Sequence, residues 1–226
     1  MEKNHITVKT NIIQNELKYN DTVVLTYRIE YPEFKSSHFK LSINAVNWFY
    51  KKAALDYQEY IQNELYNMAV EVYKESIENN YPVRVFEALL VYKPTYIQAC
   101  IISLYFDKYE YTGGAHGNTT RYSNTWNLQR HGRISLSELF GCGIDYKDYI
   151  LKIVEQEIKK DPSIYFENYI ELIVETFNPD SFYCTPQGIV IYYQQYDIAP
   201  YSSGIREFLI PYTACVKDPK RMCFAM

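Results

Sequence analysis

Length, composition and charge set the first limits on what this chain does. Its 226 residues carry 23 Lys and Arg against 27 Asp and Glu, which gives a formal net charge of −4. This balance argues against an electrostatic nucleic-acid binder, and the chain lacks the run of about 18 apolar residues that predicts a membrane span. The 25 tyrosines fit either a tyrosine-rich sheet or a recognition surface, because tyrosine offers contact area at low entropic cost.

The first third of the sequence predicts two strands and a long helix. β-Branched and aromatic residues favour strands over Ile6–Ile13 and Thr22–Tyr31, and Pro32 is expected to end the second strand. Apolar residues then recur at helical spacing for roughly nine turns. This helix is expected to start with Ser42 as its N-cap and to stop at Asn79–Pro82.

Long strands are predicted after the helix. Alternating side chains favour strands at Val83–Tyr92 and Tyr96–Tyr111, joined by a turn at Lys93–Thr95, and a returning strand at Thr119–Leu128. Long antiparallel strands after a helix indicate an α+β fold, with the long helix packed on antiparallel strands, rather than a wound α/β sheet.

The rest of the sequence predicts a smaller α+β part with two helices and short strands. Ser135 and Glu138 have the spacing of a capping box. The two helices are expected at Asp145–Lys160 and Pro162–Glu175. Short strands are expected at Phe182–Cys184, Gly188–Gln194 and Arg206–Ile210. The tail after Tyr212 is expected to be loosely held.

The five cysteines are dispersed and odd in number. Their spacing argues against a disulfide framework and against structural zinc, so reduced thiols are expected, with Cys100 in an apolar core. The first residues also lack the apolar stretch of a signal peptide. On these features alone the chain is expected to be cytoplasmic.

The segment Tyr109–Gly117 places three glycines and His116 in one loop. His116 could act in acid–base catalysis with Asp107 or Glu110, although these two carboxylates fall on opposite faces of a strand. In the other interpretation, His116 hydrogen-bonds the loop backbone and fixes its shape. The glycine amides could bind an anion, but the loop lacks the lysine of a phosphate-binding loop. The four histidines are widely spaced, so neither a metal nor another cofactor is expected.

A second unusual loop spans Tyr196–Gly204. Pro200 stiffens it, and Tyr196 and Tyr201 are candidate recognition anchors. In the alternative interpretation, the Ile-Ala-Pro stretch of this loop packs under the sheet and locks two parts of the chain together.

Several motifs together resemble an extracytoplasmic module of Gram-positive bacteria. They are Tyr109–Gly117, Asn127-Leu128, Gly132–Phe140, Phe182-Tyr183, Gly188–Val190, Tyr196–Gly204 and Phe208–Pro211. The first part of the chain resembles the non-catalytic domain of PdaC-type peptidoglycan deacetylases, and the second resembles the domain of unknown function that usually follows it. The same pair is similar to the sensor portion of RsiV-type anti-sigma factors, which binds lysozyme.

The resemblance implies an α+β fold in two parts, residues 1–120 and 121–226. It implies a non-enzymatic binding or sensing module of the bacterial envelope, whose ligand is a lysozyme-like protein or a cell-wall glycan. The alternatives are an accessory domain of a peptidoglycan-modifying enzyme and a hydrolase that depends on His116. An extracytoplasmic location is implied too, against the cytoplasmic expectation above, and the oligomeric state stays open. Ligand contacts are expected at Tyr111, Thr112, His116, Tyr196, Pro200, Tyr201 and Ser202.

Overall fold

The chain has a mixed α+β fold, in a computed structural model that describes residues 5–224. Its strands in this range are β1 Thr7–Tyr19, β2 Thr22–Lys35, β3 Phe86–Gln98, β4 Ile101–Tyr111, β5 Asn118–Asn127, β6 Gly132–Arg133, β7 Phe182–Cys184, β8 Gly188–Tyr193 and β9 Arg206–Pro211. Its α-helices are α1 Lys40–Tyr60, α2 Tyr66–Glu78, α3 Tyr146–Ile158 and α4 Tyr169–Glu175. A six-stranded sheet has the order β1-β2-β3-β4-β5-β6, and a three-stranded sheet has the order β7-β8-β9.

The described residues group into two compact units. One unit contains residues 6–92 and 107–120, and the other contains His5, residues 93–106 and residues 121–224. The expected division into domains 1–120 and 121–226 stays a prediction.

The first unit is built around the long helix and strand β2. Helix α1 buries Ile43, Val46 and Tyr50, and it packs on β2. The Asn47 side chain accepts from the Phe34 amide at 2.8 Å and donates to the Phe34 carbonyl at 2.9 Å. This pair of bonds fixes the helix against the end of β2. The amide group of Asn47 takes the place of a neighbouring strand on the side where the ladder to β3 has ended.

The long helix is confirmed, but its expected start is wrong. The helix begins at Lys40, its N-cap residue Phe39 makes no side-chain cap bond, and Ser42 is buried in the first turn. A π-helical turn at Ile61–Leu65 then separates α1 from α2. The helix therefore begins about one turn earlier than the N-cap preference of serine predicts.

The expectation of purely antiparallel strands is wrong for one strand pair. Strands β2 and β3 run parallel, from the pair Leu25↔Phe86 to the pair Ile29↔Leu90. Helices α1 and α2 form the long crossover that a parallel pair requires. Strand β2 also continues past Pro32, which lies opposite Thr10 of β1. Proline is tolerated there because the ladder to β3 ends at Ile29, so its missing N–H leaves no gap on that side.

The expected turn at Lys93–Thr95 is wrong as well. These residues lie inside β3, and the chain instead turns at Ala99-Cys100. Ala99 has a φ of 53°, the left-handed geometry of a tight connection. Proline is common in turns, but a strand can include proline where no neighbouring strand needs a hydrogen bond from its N–H.

The second half of the chain largely follows the sequence patterns. Strands β7, β8 and β9 are confirmed, and Asp145 caps α3 by accepting from the amides of Lys147 and Asp148. The capping box of Ser135 and Glu138 is present at a short 3-10 helix. The expected helix Pro162–Glu175 is instead a 3-10 turn at Pro162–Ile164 followed by α4.

The cysteines and the tail differ most from expectation. Disulfides join Cys100 to Cys223 and Cys142 to Cys215, with Cα–Cα distances of 5.8 Å and 5.5 Å, within the normal range for such bonds. Cys184 is free and buried. The tail after Tyr212 is thus covalently held, because residues far apart in sequence meet in the fold.

None of the helices in residues 5–224 has the length and hydropathy needed to cross a membrane. The first four residues, on which the expectation of no signal peptide partly rests, lie outside the described residues.

Candidate functional site

The glycine-rich loop after β4 is held by one arginine. Arg84 Nη1 donates to the carbonyl oxygens of Gly113 and Gly114, both at 2.7 Å. The hydroxyl of Tyr111, the last residue of β4, donates to the Gly114 carbonyl at 3.2 Å. Gly113 has a φ of 84°, which glycine adopts without strain. Thr112 is exposed beside these contacts, so the loop has a fixed backbone and a solvent-facing side chain.

His116 contacts the backbone of its own loop. Its Nδ1 lies 2.9 Å from the Gly117 carbonyl oxygen, which can only accept, so Nδ1 carries the proton. A Cβ atom at Gly117 would overlap the ring of Tyr109. The histidine and the last glycine therefore set the loop geometry, as the backbone-anchor interpretation predicts.

The carboxylate nearest to this loop in sequence is already bound. Glu110 accepts from the Tyr57 hydroxyl at 3.0 Å and pairs with Lys108 at 3.2 Å. Cys184, the one free thiol within residues 5–224, is buried, and burial raises its pKa to about 12, so it is not a thiolate near neutral pH. Within residues 5–224, no three His, Cys, Asp or Glu side chains converge as a metal site.

The second predicted loop divides into buried and exposed residues. Ile198 and Ala199 are fully buried, and the Phe166 amide donates to the Ile198 carbonyl at 3.1 Å. Tyr196 has a φ of 68° and is 52% exposed, and its ring centroid lies 5.9 Å from that of Tyr201. One stretch thus anchors the loop within its own unit, while Tyr196 is exposed to solvent and contacts the half-buried ring of Tyr201.

Pro200 and Ser202 are exposed in this loop, and Tyr201 is half-buried. The next residue, Ser203, donates from its hydroxyl to the Ile164 carbonyl at 3.1 Å. The predicted residues of the two loops fall in different units: Tyr111, Thr112 and His116 in the first, and Tyr196, Pro200, Tyr201 and Ser202 in the second. Their role in ligand binding stays a prediction.

The sequence did not predict a cleft that lies next to the second loop. The cleft has a volume of about 590 Å³ and is lined by the end of α3, the turn at Asp161–Tyr165 and strand β9, which is an edge strand of its sheet. Its size falls within the roughly 300–1,000 Å³ typical of small-molecule sites. We refer to it below as the β9 cleft.

Arg206 connects the β9 cleft to the loop. Its Nη2 donates to the Tyr165 hydroxyl at 3.0 Å and its Nη1 donates to the Ser203 carbonyl at 3.3 Å. The guanidinium carbon lies 5.1 Å from the centre of the Tyr165 ring, within the range of a cation–π contact. The cation is therefore fixed in place at the cleft wall.

Glu207, the next residue of β9, also lines the cleft, but its side chain lies on the opposite face of the strand from Arg206. Its Oε1 accepts from Arg121 and from the Tyr183 hydroxyl, the latter at 3.0 Å. Arg121 is itself held by Tyr105, whose ring centre lies 3.7 Å from the guanidinium carbon. Burial, and then the negative charge of Glu207, raise the pKa of Tyr183, so this hydroxyl stays protonated and donates.

One charged pair and one capping carboxylate complete the β9 cleft. Lys160 pairs with Glu157 at 2.6 Å, and Asp161 caps the following turn through the Ser163 hydroxyl at 2.6 Å. This site could not be predicted from the sequence, because its walls are some 45 residues apart along the chain and Lys159-Lys160 has the composition of a solvated helix face. The adjacent charged residues Arg206 and Glu207 in a short predicted strand were the local pattern that could have indicated it.

Comparison with known proteins divides the chain in two. Residues 18–119 match the family model described as deacetylase PdaC, and residues 137–213 match a protein family of unknown function, DUF3298. Among curated proteins, the chain is similar to the peptidoglycan-N-acetylmuramic acid deacetylase PdaC of Bacillus subtilis strain 168. That match is 22% identical over 194 residues and covers 76% of this chain. The chain spans only 38% of the length of that relative.

Solved structures of DUF3298 family members share the fold. A member from Bacteroides fragilis NCTC 9343 matches with a TM-score of 0.65 and 23% identity, covering 93% of this chain and 92% of that one. A member from Pseudomonas aeruginosa PAO1 matches with a TM-score of 0.59 and 16% identity over the same shares. A PdaC-type region followed by a DUF3298 region, as the sequence motifs predict, is thus confirmed.

Proposed function

We propose that this chain, in which a PdaC-type region precedes a DUF3298 region, is a non-enzymatic binding module of the bacterial cell envelope. In this proposal it recognises cell-wall glycan and assists the modification of peptidoglycan. The observation that carries the proposal is the similarity to a peptidoglycan deacetylase across 76% of the chain. We also retain the division into domains 1–120 and 121–226 as part of the proposal.

The two disulfides support an envelope location. Disulfides form and persist in oxidising compartments outside the cytoplasm and are rare within it. Four of the five cysteines of this chain are paired. This pairing favours an extracytoplasmic location over a cytoplasmic one.

The β9 cleft supports glycan as the ligand. Sugars present hydroxyl groups that donate and accept hydrogen bonds, and ionised side chains form the stronger of such bonds. The cleft wall holds a cation at Arg206 and carboxylates at Glu207 and Asp161. The half-buried ring of Tyr201 lies in the adjoining loop, where it offers apolar contact area at low entropic cost.

A protein ligand such as a lysozyme is the second candidate. The observation in its favour is the exposed Tyr196, whose ring contacts the half-buried Tyr201, since tyrosine is enriched among the residues that dominate protein interfaces. The hydrolase alternative has less support, because Glu110 is engaged by Tyr57 and Lys108.

Retention on insoluble peptidoglycan tests the proposal. The purified, oxidised chain should co-sediment with peptidoglycan sacculi, and Tyr201→Ala should reduce the retained fraction strongly. Lys152→Ala is the matched control, because Lys152 is an exposed residue of α3 outside the cleft lining. If the wild-type chain stays in the supernatant, the glycan proposal is wrong. Calorimetric titration with hen lysozyme then decides for or against the protein ligand.

A further inference from the structure

Helix α1 carries apolar residues on both of its faces. Its inner face buries Val46 and Tyr50 against the sheet. On the opposite side, which we call the outer face of α1, Leu41, Trp48 and Leu55 are 79%, 65% and 44% exposed. They follow one another at intervals of seven residues, and a seven-residue step changes the direction of a helical side chain by only about 20°. Since a surface helix normally has polar residues on its outer face, this aligned apolar stripe indicates an interaction surface.

The stripe lies in a basic stretch of a chain that is acidic as a whole. Residues 34–55 contain four lysines and no aspartate or glutamate, whereas the whole chain has a formal net charge of −4. Lys40 and Lys51 are exposed, and within residues 5–224 neither forms an ion pair. Lys52 pairs with Asp56 at 2.5 Å, but both side chains are more than half exposed, so water screens this pair. The outer face of α1 therefore combines apolar side chains with a net positive charge.

The start of α1 adds to this positive charge. Its first turn contains no acidic residue, and its N-cap residue Phe39 makes no side-chain cap bond, so the partial positive charge at the helix start is not compensated there. Exposure also falls along the stripe from Leu41 to Leu55, and the acidic residues Asp56 and Glu59 come only after it. The amino-terminal half of the outer face is thus both its most exposed part and its most basic part.

We propose that the outer face of α1 binds the surface of an anionic membrane. Leu41 and Trp48 insert at the level of the lipid headgroups, where tryptophan is favoured, and Lys40 and Lys51 lie against the lipid phosphates. Apolar side chains flanked by lysines on one helix face are the combination that holds a helix in the plane of such a surface. The lysine stems also pack along the apolar stripe while their ammonium groups stay in water. This contact is separate from glycan binding and does not depend on it.

A second copy of the chain is the competing occupant of this face. Pairing two outer faces would bring the unpaired Lys40 and Lys51 of both copies to one interface, and like charges in an interface are unfavourable. The stripe has one large apolar residue in every seven, whereas a coiled-coil seam has two. Lys52, four residues after Trp48, occupies the intermediate position. An anionic surface therefore fits this face better than a second copy does.

Co-sedimentation with lipid vesicles tests the proposal. The whole oxidised chain is mixed with vesicles of equal parts phosphatidylglycerol and phosphatidylcholine, or with vesicles of phosphatidylcholine alone. We expect binding to the anionic vesicles only, and we expect added salt to weaken it because salt screens exposed charges. The chain has two tryptophans, so Trp126→Phe leaves Trp48 as the single reporter. Its fluorescence should shift to shorter wavelengths when the anionic vesicles are added.

One pair of variants tests the apolar stripe. Trp48→Ser should weaken binding to the anionic vesicles by about tenfold or more, because it removes the largest apolar side chain of the stripe. Met68→Ser is the matched control, since Met68 is 50% exposed but lies in α2 between the exposed Glu64 and Glu71. We expect this variant to bind as the wild type does.

A second pair tests the charge. Lys51→Gln should weaken binding by about fivefold, the effect of one cation at an anionic surface. Lys152→Gln, at an exposed position of α3, removes the same charge from the whole chain and should leave binding unchanged. Circular dichroism of each variant shows that a lost interaction does not reflect unfolding.

Equal binding to the two kinds of vesicle overturns the inference, and so do equal losses in Trp48→Ser and Met68→Ser. A chain that binds neither vesicle and elutes as a dimer, which Trp48→Ser dissociates, overturns it in favour of a second copy. Because purified sacculi contain no lipid bilayer, the two proposals fail separately. Vesicle binding without retention on peptidoglycan supports the membrane surface and contradicts the glycan proposal, whereas retention on peptidoglycan without vesicle binding does the reverse.

Discussion

Arg121 and Glu207 form an ion pair whose two ends lie in different environments. The arginine side chain is 9% exposed, whereas the glutamate side chain is 42% exposed. The buried end rests on the ring of Tyr105, and the exposed end borders the β9 cleft. The pair thus links the interior of its unit to the wall of the candidate site.

This asymmetry predicts unequal costs for removing each end. Arg121→Met should lower the free energy of unfolding by about 1–2 kcal/mol, because it removes the contact with the Tyr105 ring but leaves a carboxylate that is already 42% exposed to water. Glu207→Gln should cost about 3–4 kcal/mol, because it removes the charge that compensates the buried Arg121 cation, although the amide oxygen still accepts from Tyr183. Urea unfolding followed by circular dichroism gives both values. Equal losses would show that the buried cation does not depend on the charge of Glu207.

The glycine-rich loop predicts that alanine substitutions at Gly117 and Gly114 differ in their effect on stability. Gly117→Ala should destabilise the chain by about 1–2 kcal/mol, because the new Cβ overlaps the Tyr109 ring. Gly114→Ala is the matched control, since the nearest atom to a Cβ there is 3.9 Å away. Thermal unfolding measures both. In the Tyr109→Ala background the cost of Gly117→Ala should largely disappear, and a persistent cost would place the strain elsewhere.

The disulfides predict a redox-dependent stability. They close sequence separations of 123 and 73 residues, so reduction should remove about 4 kcal/mol for each bond in the chain-entropy picture. Guanidinium unfolding with and without dithiothreitol measures the loss. Thiol titration of the denatured, unreduced chain should find one reactive group, Cys184. Five reactive groups before reduction would refute the pairing.

A buried tyrosine–aspartate contact predicts a specific loss of stability in acid. The Tyr96 hydroxyl donates to Asp218 at 2.5 Å. Burial opposes the charge of Asp218, but hydrogen bonds from Tyr96 and Lys220 outweigh burial and leave its pKa below the ordinary value. A carboxylate with a lowered pKa in the folded state stabilises the fold above its unfolded pKa, and this stabilisation is lost as the pH falls through the folded pKa.

Asp218→Asn tests this contribution. At pH 6 the variant should be less stable than the wild type, and the difference should shrink towards pH 3, because the wild-type carboxyl also becomes neutral. Urea midpoints at the two pH values give the comparison. Lys220→Ala is a useful second variant, since it removes the pairing at 2.9 Å but keeps the Tyr96 bond. A difference that does not change with pH would mean that the charge of Asp218 is unimportant.

Local patterns in the sequence predicted the local structure well. The capping box at Ser135 and the cap at Asp145 are present, because such caps depend only on residues three positions apart. The pairing of Cys100 with Cys223 could not be predicted, since it depends on a contact over 123 residues. The turn at Lys93–Thr95 failed for a similar reason: the neighbouring strands, and not the local proline, set the end of β3.

The same distinction applies to the candidate site. The glycines of Tyr109–Gly117 indicated a loop with a defined backbone shape, and the interpretation of His116 as a backbone anchor followed from them. The β9 cleft was not visible, because α3 and β9 meet only in the folded chain. Arg206 is held in place by Tyr165 and Glu207 by Arg121. Neither partner is near them in sequence.

The two disulfides are nested, since the bond between Cys142 and Cys215 lies within the segment closed by Cys100 and Cys223. A single backbone cut anywhere between residues 101 and 222 therefore leaves both fragments covalently joined. A copy nicked by a protease would keep its full mass and would migrate as intact protein until it was reduced. If the proposed envelope location holds, a protease cut between residues 101 and 222 would not release either fragment.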